Sequence, residues 1–306
     1  MTLTDIRRPS AGVLALIGVG ICALIWGTTW YAITWQLGVV DPLVSVVWRF
    51  GLAALVLTGG CLATGRSIRL TRAQHLAALG QGALVFSVSY AFVYQAEERV
   101  ASAIVAVIFA ALAFLNLIVF RLLSGQKAAP ASWMGAGLGV VGVAVLSGSA
   151  VLAADMGRHA LIGVAMAVTG VTASAFGNWF AWKGQAAGAP VIPQTGWAMG
   201  YGAALLAVFA AATGVHWSIQ LTPGYLISLA YLSIFGSVIA FVIYFTLARS
   251  RGYALASYIS ALTPPIAMLV SVVFERAHFG WPALLGLMLV LSGQALMIPA
   301  PKVSVA

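Results

Sequence analysis

Little in these 306 residues is equipped for making or breaking bonds. There is no His-Glu-x-x-His, no Cys-x-x-Cys, no Walker-type phosphate loop and no pair of carboxylates inside one apolar run. His75, His159, His216 and His278 stand alone near the ends of such runs, and Cys22 and Cys61 read as small packing residues. No metal, cofactor or catalytic residue is therefore expected. The side chains that can act are single polar and aromatic residues set into apolar segments, and they are suited to holding a small molecule.

Ser87, Tyr90 and Tyr94 fall at i, i+3, i+7 and share one helical face. Ser174, Asn178 and Trp182 do likewise, with Trp179 beside them. Ser233, Ser237 and Tyr244 form a third stripe, and Ser257, Ser260 or Ala261, and Pro264 a fourth, flanked by Tyr258. If these faces converge, with Trp30 among them, they enclose a cavity with aromatic walls and a few neutral donors and acceptors. Such a lining suits a zwitterion with an apolar side chain; a phosphate would need clustered Lys or Arg. The same residue types also serve close helix packing and interfacial belts. Trp35, Trp182, Trp197, Trp217 and Trp281 lie at the ends of apolar runs and read as belt residues.

Arg49 is the only charge well inside an apolar run. Inserting it there costs on the order of 2.5–3.5 kcal/mol, so it needs a partner or a wet cavity. It either receives a substrate carboxylate or serves structure by bonding backbone carbonyls. Pro264-Pro265 removes two backbone donors in the middle of another run, which gives either a tolerated bend or a gating hinge.

The elements that position these residues follow from composition. Hydrophobic residues make up 62% of the chain and charged residues 7%, with a mean hydropathy of +1.04. That is the composition of a polytopic membrane protein; the net charge of +9 sits between apolar runs and does not indicate nucleic acid. A bilayer core needs about 20 apolar residues per helix. The chain offers ten runs: Val13–Trp35, Pro42–Cys61, His75–Tyr94, Ala101–Leu122, Ser132–Leu152, Ala160–Trp182, Pro193–Thr213, Pro223–Leu247, Tyr253–Phe274 and Trp281–Ile298. The first reads as a retained span, not a signal peptide. With the N-terminus inside, Arg7, Arg8, Arg66, Arg69, Arg72, Arg121, Lys127, Lys183, Arg249, Arg251 and Lys302 fall on the inner side. Arg99, Arg158 and Arg276 fall outside, with Asp41, Glu97, Glu98, Asp155 and Glu275 in outer loops. Both termini are expected in the cytoplasm.

The chain also repeats itself. Ala101-Ser102-x-Ile104-x-Ala106 recurs as Ala256-Ser257-x-Ile259-x-Ala261, and Gly135-x-x-Leu138-x-x-x-Gly142 as Gly286-x-x-Leu289-x-x-x-Gly293. Trp26-Gly27 and Trp30-Tyr31 echo in Phe176-Gly177 and Trp179-Phe180. Two halves, residues 1–155 and 156–306, then hold five spans each. An odd number inverts the second half, a mark of secondary transporters with a midplane site.

Tyr231–Met297 resembles the second half of an EamA-type member of the drug/metabolite transporter superfamily. The likeness is carried by Arg249-Ser250-Arg251-Gly252, Ala256-Ser257, Pro264-Pro265, Phe274-Glu275 and Gly286…Gly293. The first half is similar through Trp26-Gly27, Pro42, Arg49-Phe50 and Gly135…Gly142; it lacks a proline matching Pro264 or Pro265, and Gln126 stands where the pattern has a glutamate. The resemblance implies an all-α inner-membrane carrier of ten helices around a central cavity, exporting small metabolites, nearest to the aromatic and neutral amino acid exporters. It also implies a basic residue at Arg49 across varied substrates, which favours the structural role. Lipid and a small-molecule substrate are the expected partners, with no nucleic acid, and a monomer is compatible. A drug exporter is the alternative; a membrane-embedded lipid enzyme or scaffold is another. With no carboxylate at mid-span, flux is expected to follow the substrate gradient.

Overall fold

The computed structural model describes residues 11–38, 40–153, 157–251 and 253–297. Among these residues every regular element is helical, and the helices form ten rods. They are α1 (Ala11–Thr34), α2 (Pro42–Ala63), α3 (Arg72–Glu97), α4 (Ser102–Ser124) and α5 (Pro130–Ala153), then α6 (Gly157–Ala186), α7 (Val191–Ala212), α8 (Pro223–Ser250), α9 (Tyr253–Phe274) and α10 (Trp281–Met297). Each coincides with one of the ten apolar runs. α1–α4 and α6–α8 are long and apolar enough to span a bilayer; α5, α9 and α10 contain the shorter apolar stretches Pro130–Leu146, Leu262–Phe274 and Trp281–Leu296.

Short connections alternate between two ends of the bundle. One, the acidic end, carries Asp41, Glu98 and Glu275; the other, the basic end, carries Arg66, Arg69 and Lys127. Local signals start and stop the rods. Asp41 Oδ1 accepts from Leu43 N at 2.8 Å to cap α2, Thr71 and Gln74 form a capping box on α3, and Gly125 ends α4 at φ +64°.

The packing has the pseudo-two-fold order of inverted repeats. α1 lies against α8 and α9 of the other half, and α6 against α3 and α4; α2 meets α7, and α5 meets α10. The α5–α10 contact is backbone on backbone: a Cβ at Gly142 would come within 2.7 Å of the Gly286 oxygen. The glycine pattern seen in the sequence is thus a seam between the halves. It leaves α1, α2, α3, α4, α6, α8 and α9 around the centre.

Two departures from regular helix sit at matching places. α3 and α8 each contain an eight-residue π-helical stretch, Gly82–Ser89 and Leu232–Ile239. α4 breaks at Ala110–Ala111, where the Ala111 N–H reaches only to Ile108 O at 3.0 Å. The offset that aligns Ala101-Ser102 with Ala256-Ser257 sets Ala110 of this break opposite Pro265. Both halves therefore interrupt the same helix, one with proline and one without.

Candidate functional site

Seven helices surround a cavity with about 710 Å³ of atom-free space, part of it continuous with the outside. Six aromatic residues line it: Trp26, Trp30, Tyr90, Phe109, Phe241 and Tyr244. Between them stand Thr29, Arg49, Ser174, Asn178, Ser260 and Thr263. The cavity has a charged pole and a neutral pole.

The charged pole faces the acidic end. Arg49 lies seven residues along α2, roughly 10 Å from its start, and is 1% exposed. Its Nε donates to Ser237 Oγ at 3.0 Å and its Nη1 to Tyr94 OH at 3.5 Å, while Tyr94 OH donates to Gln36 Oε1 at 2.9 Å. The guanidinium carbon stands 4.6 Å from the centre of the Tyr90 ring. No carboxylate pairs with it: among the described residues the one ion pair is Arg99–Glu98. Trp30 Nε1 is buried in the cavity wall without a partner, a second donor free for a ligand.

The π-helical stretch of α8 builds this pole. Its widened turn lets Ser237 Oγ donate to Leu232 O at 2.9 Å and leaves Gly236 O to accept from Trp26 Nε1 at 3.1 Å. Gly236 is required by proximity, since a Cβ there would lie 2.8 Å from Thr29 and 3.2 Å from Arg49 Nη2.

The neutral pole faces the basic end. Asn178 Nδ2 donates to Asn116 Oδ1 and to Tyr244 OH, both at 3.3 Å. Ser89 and Ser174 bridge α3 and α6 at 2.7 Å. Between the poles run the two interrupted helices. Ala110 O accepts from Gln294 Nε2 at 3.1 Å, whereas Pro264 leaves Ser260 O without its helical donor in the cavity wall.

The residues singled out from sequence fall into separate groups. Trp30, Arg49, Tyr90, Asn178 and Tyr244 line the cavity. Ser87 and Tyr94 are buried but not in its wall; Tyr94 stands behind Arg49. Ser87 falls out of phase with Tyr90 and Tyr94 because the π-helical stretch ends between Ser89 and Tyr90, and each inserted residue rotates the rest of the helix by about 100°. Pro264 and Pro265 lie inside α9, next to the lining residues Ser260 and Thr263. The side chains of Ser257 and Tyr258 lie outside the described residues. Trp182 packs on Phe120 with ring centres 5.8 Å apart, away from the cavity. Glu97 is corrected: it ends α3 at 8% exposure and is no outer-loop residue, because Tyr94 and Glu97 share the inward face.

Sequence reasoning missed Gln36, Asn116 and the holding of Arg49 by Ser237. One signal was there to find: Ser87-Val88…Tyr94 recurs as Ser237-Val238…Tyr244, marking both π-helical stretches.

Known proteins resemble this chain. The profile of the EamA-like transporter family matches residues 12–148 and again residues 161–298. The uncharacterized inner membrane transporter YedA of Escherichia coli K12 is 28% identical over 253 residues, covering 81% of this chain and 78% of that protein; its counterpart in Escherichia coli O157:H7 gives the same values. A solved crystal structure of a protein superposes with a TM-score of 0.69 at 20% identity, over 93% of this chain and 96% of that one, and shares the fold.

Proposed function

Because this chain belongs to the EamA-like transporter family, we propose that it is an inner-membrane secondary transporter that exports small metabolites by alternating access, with aromatic and other neutral amino acids as its substrates. Residues 1–155 and 156–306 are its two repeats. The observation that carries the substrate class is the charged pole: a buried guanidinium with no carboxylate partner, opening onto an aromatic chamber. A substrate carboxylate on Arg49 and Trp30 Nε1 would supply the missing acceptor, and charge-assisted bonds of this kind are about twice as strong as neutral ones. The rings of Trp26, Phe109 and Phe241 would hold an apolar side chain. Asn178, Tyr244 and the free Ser260 carbonyl offer neutral contacts to the remaining polar groups.

The inner-membrane assignment draws on the YedA relative and on the basic loops between α2 and α3 and between α4 and α5, which would face the cytoplasm with both termini. Flux is proposed to follow the substrate gradient. The test is uptake of a panel of labelled amino acids by liposomes holding the purified protein, with and without a pH gradient. Saturable, competable flux of phenylalanine, tryptophan or leucine, unchanged by the gradient, is expected. Flux raised by the pH gradient would overturn the uncoupled mechanism; no flux of any amino acid from folded protein would overturn the substrate class. The six aromatic rings of the wall also suit a planar apolar drug, and such a compound would then be carried in that panel's place.

A further inference from the structure

The connection from α2 to α3 carries Arg66, Arg69 and Arg72, three cations at a spacing of three, each exposed and none joined by its side chain to another residue. Elsewhere at the basic end, cations are engaged by the protein. Arg249 Nη1 donates to Ala189 O at 2.9 Å, and Lys183 Nζ stands 4.7 Å from the centre of the Trp179 ring. No carboxylate answers the three arginines: among the described residues Asp41, Glu97, Glu98 and Glu275 all lie at the acidic end.

The backbone that carries these free guanidiniums is held firmly. Trp197 Nε1 donates to Ile68 O at 2.9 Å, and Ser67 Oγ accepts from Arg69 N at 3.2 Å. Thr71 and Gln74 cap α3 reciprocally, and Gln74 Nε2 donates to Ala187 O at 2.8 Å. Trp197 lies six residues into α7, roughly 9 Å from its start, so the loop is laid back along that helix instead of projecting into water. Beside it Tyr201 OH and His75 Nδ1 bond at 2.9 Å, and the Trp197 and Tyr201 rings stack with centres 5.5 Å apart. Such an aromatic ledge belongs at headgroup depth. Leu62 before the loop and Leu76 after it are exposed, within reach of acyl chains.

Orientation of the chain requires only that the loop be basic; it does not call for a pinned backbone with every guanidinium left unpaired. A phosphate does, because guanidinium forks bond its oxygens in pairs and the N-terminus of α3 adds favourable partial charge. We propose that this loop is a binding site for an anionic phospholipid. Arg66, Arg69, Arg72 and the start of α3 take the phosphate, the Trp197–Tyr201 ledge meets the glycerol region, and Leu62 and Leu76 meet the chains. Preference for a net negative headgroup follows, since a choline cation would face three arginines.

The experiment titrates the purified full chain in detergent with equal amounts of phosphatidylglycerol and phosphatidylcholine and counts retained lipid by native mass spectrometry. The wild type is expected to retain phosphatidylglycerol in preference. Arg69→Gln with Arg72→Gln should reduce that preference by about thirtyfold. Arg121→Gln with Lys127→Gln removes the same charge from the next basic loop and should change it less than about threefold. An equal fall in both double variants would reduce the effect to net charge and overturn the site. Glycerol 3-phosphate, which brings the phosphate without chains, should leave the lipid in place; displacement by it at millimolar concentration would make this a site for a free phosphate and overturn the lipid. If the Arg69/Arg72 variant does not fold, the wild type and Arg69→Gln decide: equal retention of the two lipids by the wild type, or an unchanged preference in Arg69→Gln, also overturns the proposal.

Discussion

The two poles of the cavity are built on the same backbone plan and carry different chemistry. Tyr94 and Tyr244 each follow a π-helical stretch that carries Ser-Val near its end, and each bonds outside its own helix. At one pole the hydroxyl meets a guanidinium, at the other the side-chain amide of Asn178. Where α8 has Gly236, making room for Arg49, α3 has Phe86, whose ring packs 5.0 Å from both Phe50 and Phe241. A duplicated scaffold has thus been loaded asymmetrically. One half supplies charge and the other neutral donors, as befits a ligand with a charged head and an apolar body.

The largest effect is expected from discharging the charged pole. Arg49→Gln removes a charge-assisted contact worth about 3 kcal/mol, which lowers phenylalanine affinity roughly a hundredfold. Phenylalaninol, which lacks the carboxylate, should lose less than about threefold. Binding titrations in detergent, with the melting temperature recorded alongside, separate this from the structural role that the family resemblance favoured. Intact affinity with a lowered folded yield would remove the carboxylate site.

Breaking the neutral pole should be milder and blind to charge. Asn178→Leu takes away the amide that bonds both Asn116 and Tyr244, for about 1–2 kcal/mol. It should weaken phenylalanine and phenylalaninol by a similar factor, near tenfold. A selective loss of phenylalanine would place the carboxylate at the wrong pole.

A smaller change sharpens the same contrast from the backbone side. Gly236→Ala inserts a Cβ 3.2 Å from Arg49 Nη2 and 2.8 Å from Thr29. Displacing the guanidinium by a few tenths of an ångström should cost phenylalanine affinity about fivefold, roughly 1 kcal/mol. Phe86→Leu, at the matching position of α3, should lower the melting temperature and leave the affinity ratio of phenylalanine to phenylalaninol unchanged.

The spans were legible because a bilayer imposes one dominant period and length, and all ten runs became helices. The stripe on α6 also held for Ser174 and Asn178, since that helix is regular from Gly157 to Ala186. On α3 and α8 the same reasoning lost its phase, because a π-helical stretch carries no composition mark of its own and turns every later residue. Glu97 was misplaced for a related reason. A carboxylate at the end of an apolar run looks like a loop residue until neighbouring helices cover it, and those neighbours are distant in sequence. The seam glycines were visible as a repeat, while their role required seeing α5 and α10 touch.

The interrupted helices give the closest test of symmetry between the halves. Ala110 O, freed by the break in α4, is answered by Gln294 Nε2 from α10; Ser260, whose carbonyl loses its helical donor to Pro264, lines the cavity. Gln294→Leu leaves a buried carbonyl short of a donor and should cost about 1–3 kcal/mol of stability in detergent. Pro264→Ala with Pro265→Ala returns two backbone donors to α9 and should keep or raise the melting temperature. If the break in α9 serves movement of the cavity from one side to the other, that double variant slows phenylalanine flux severalfold at unchanged affinity. Unchanged flux would make the prolines a tolerated bend, and the unprolined break of α4 would then need no counterpart.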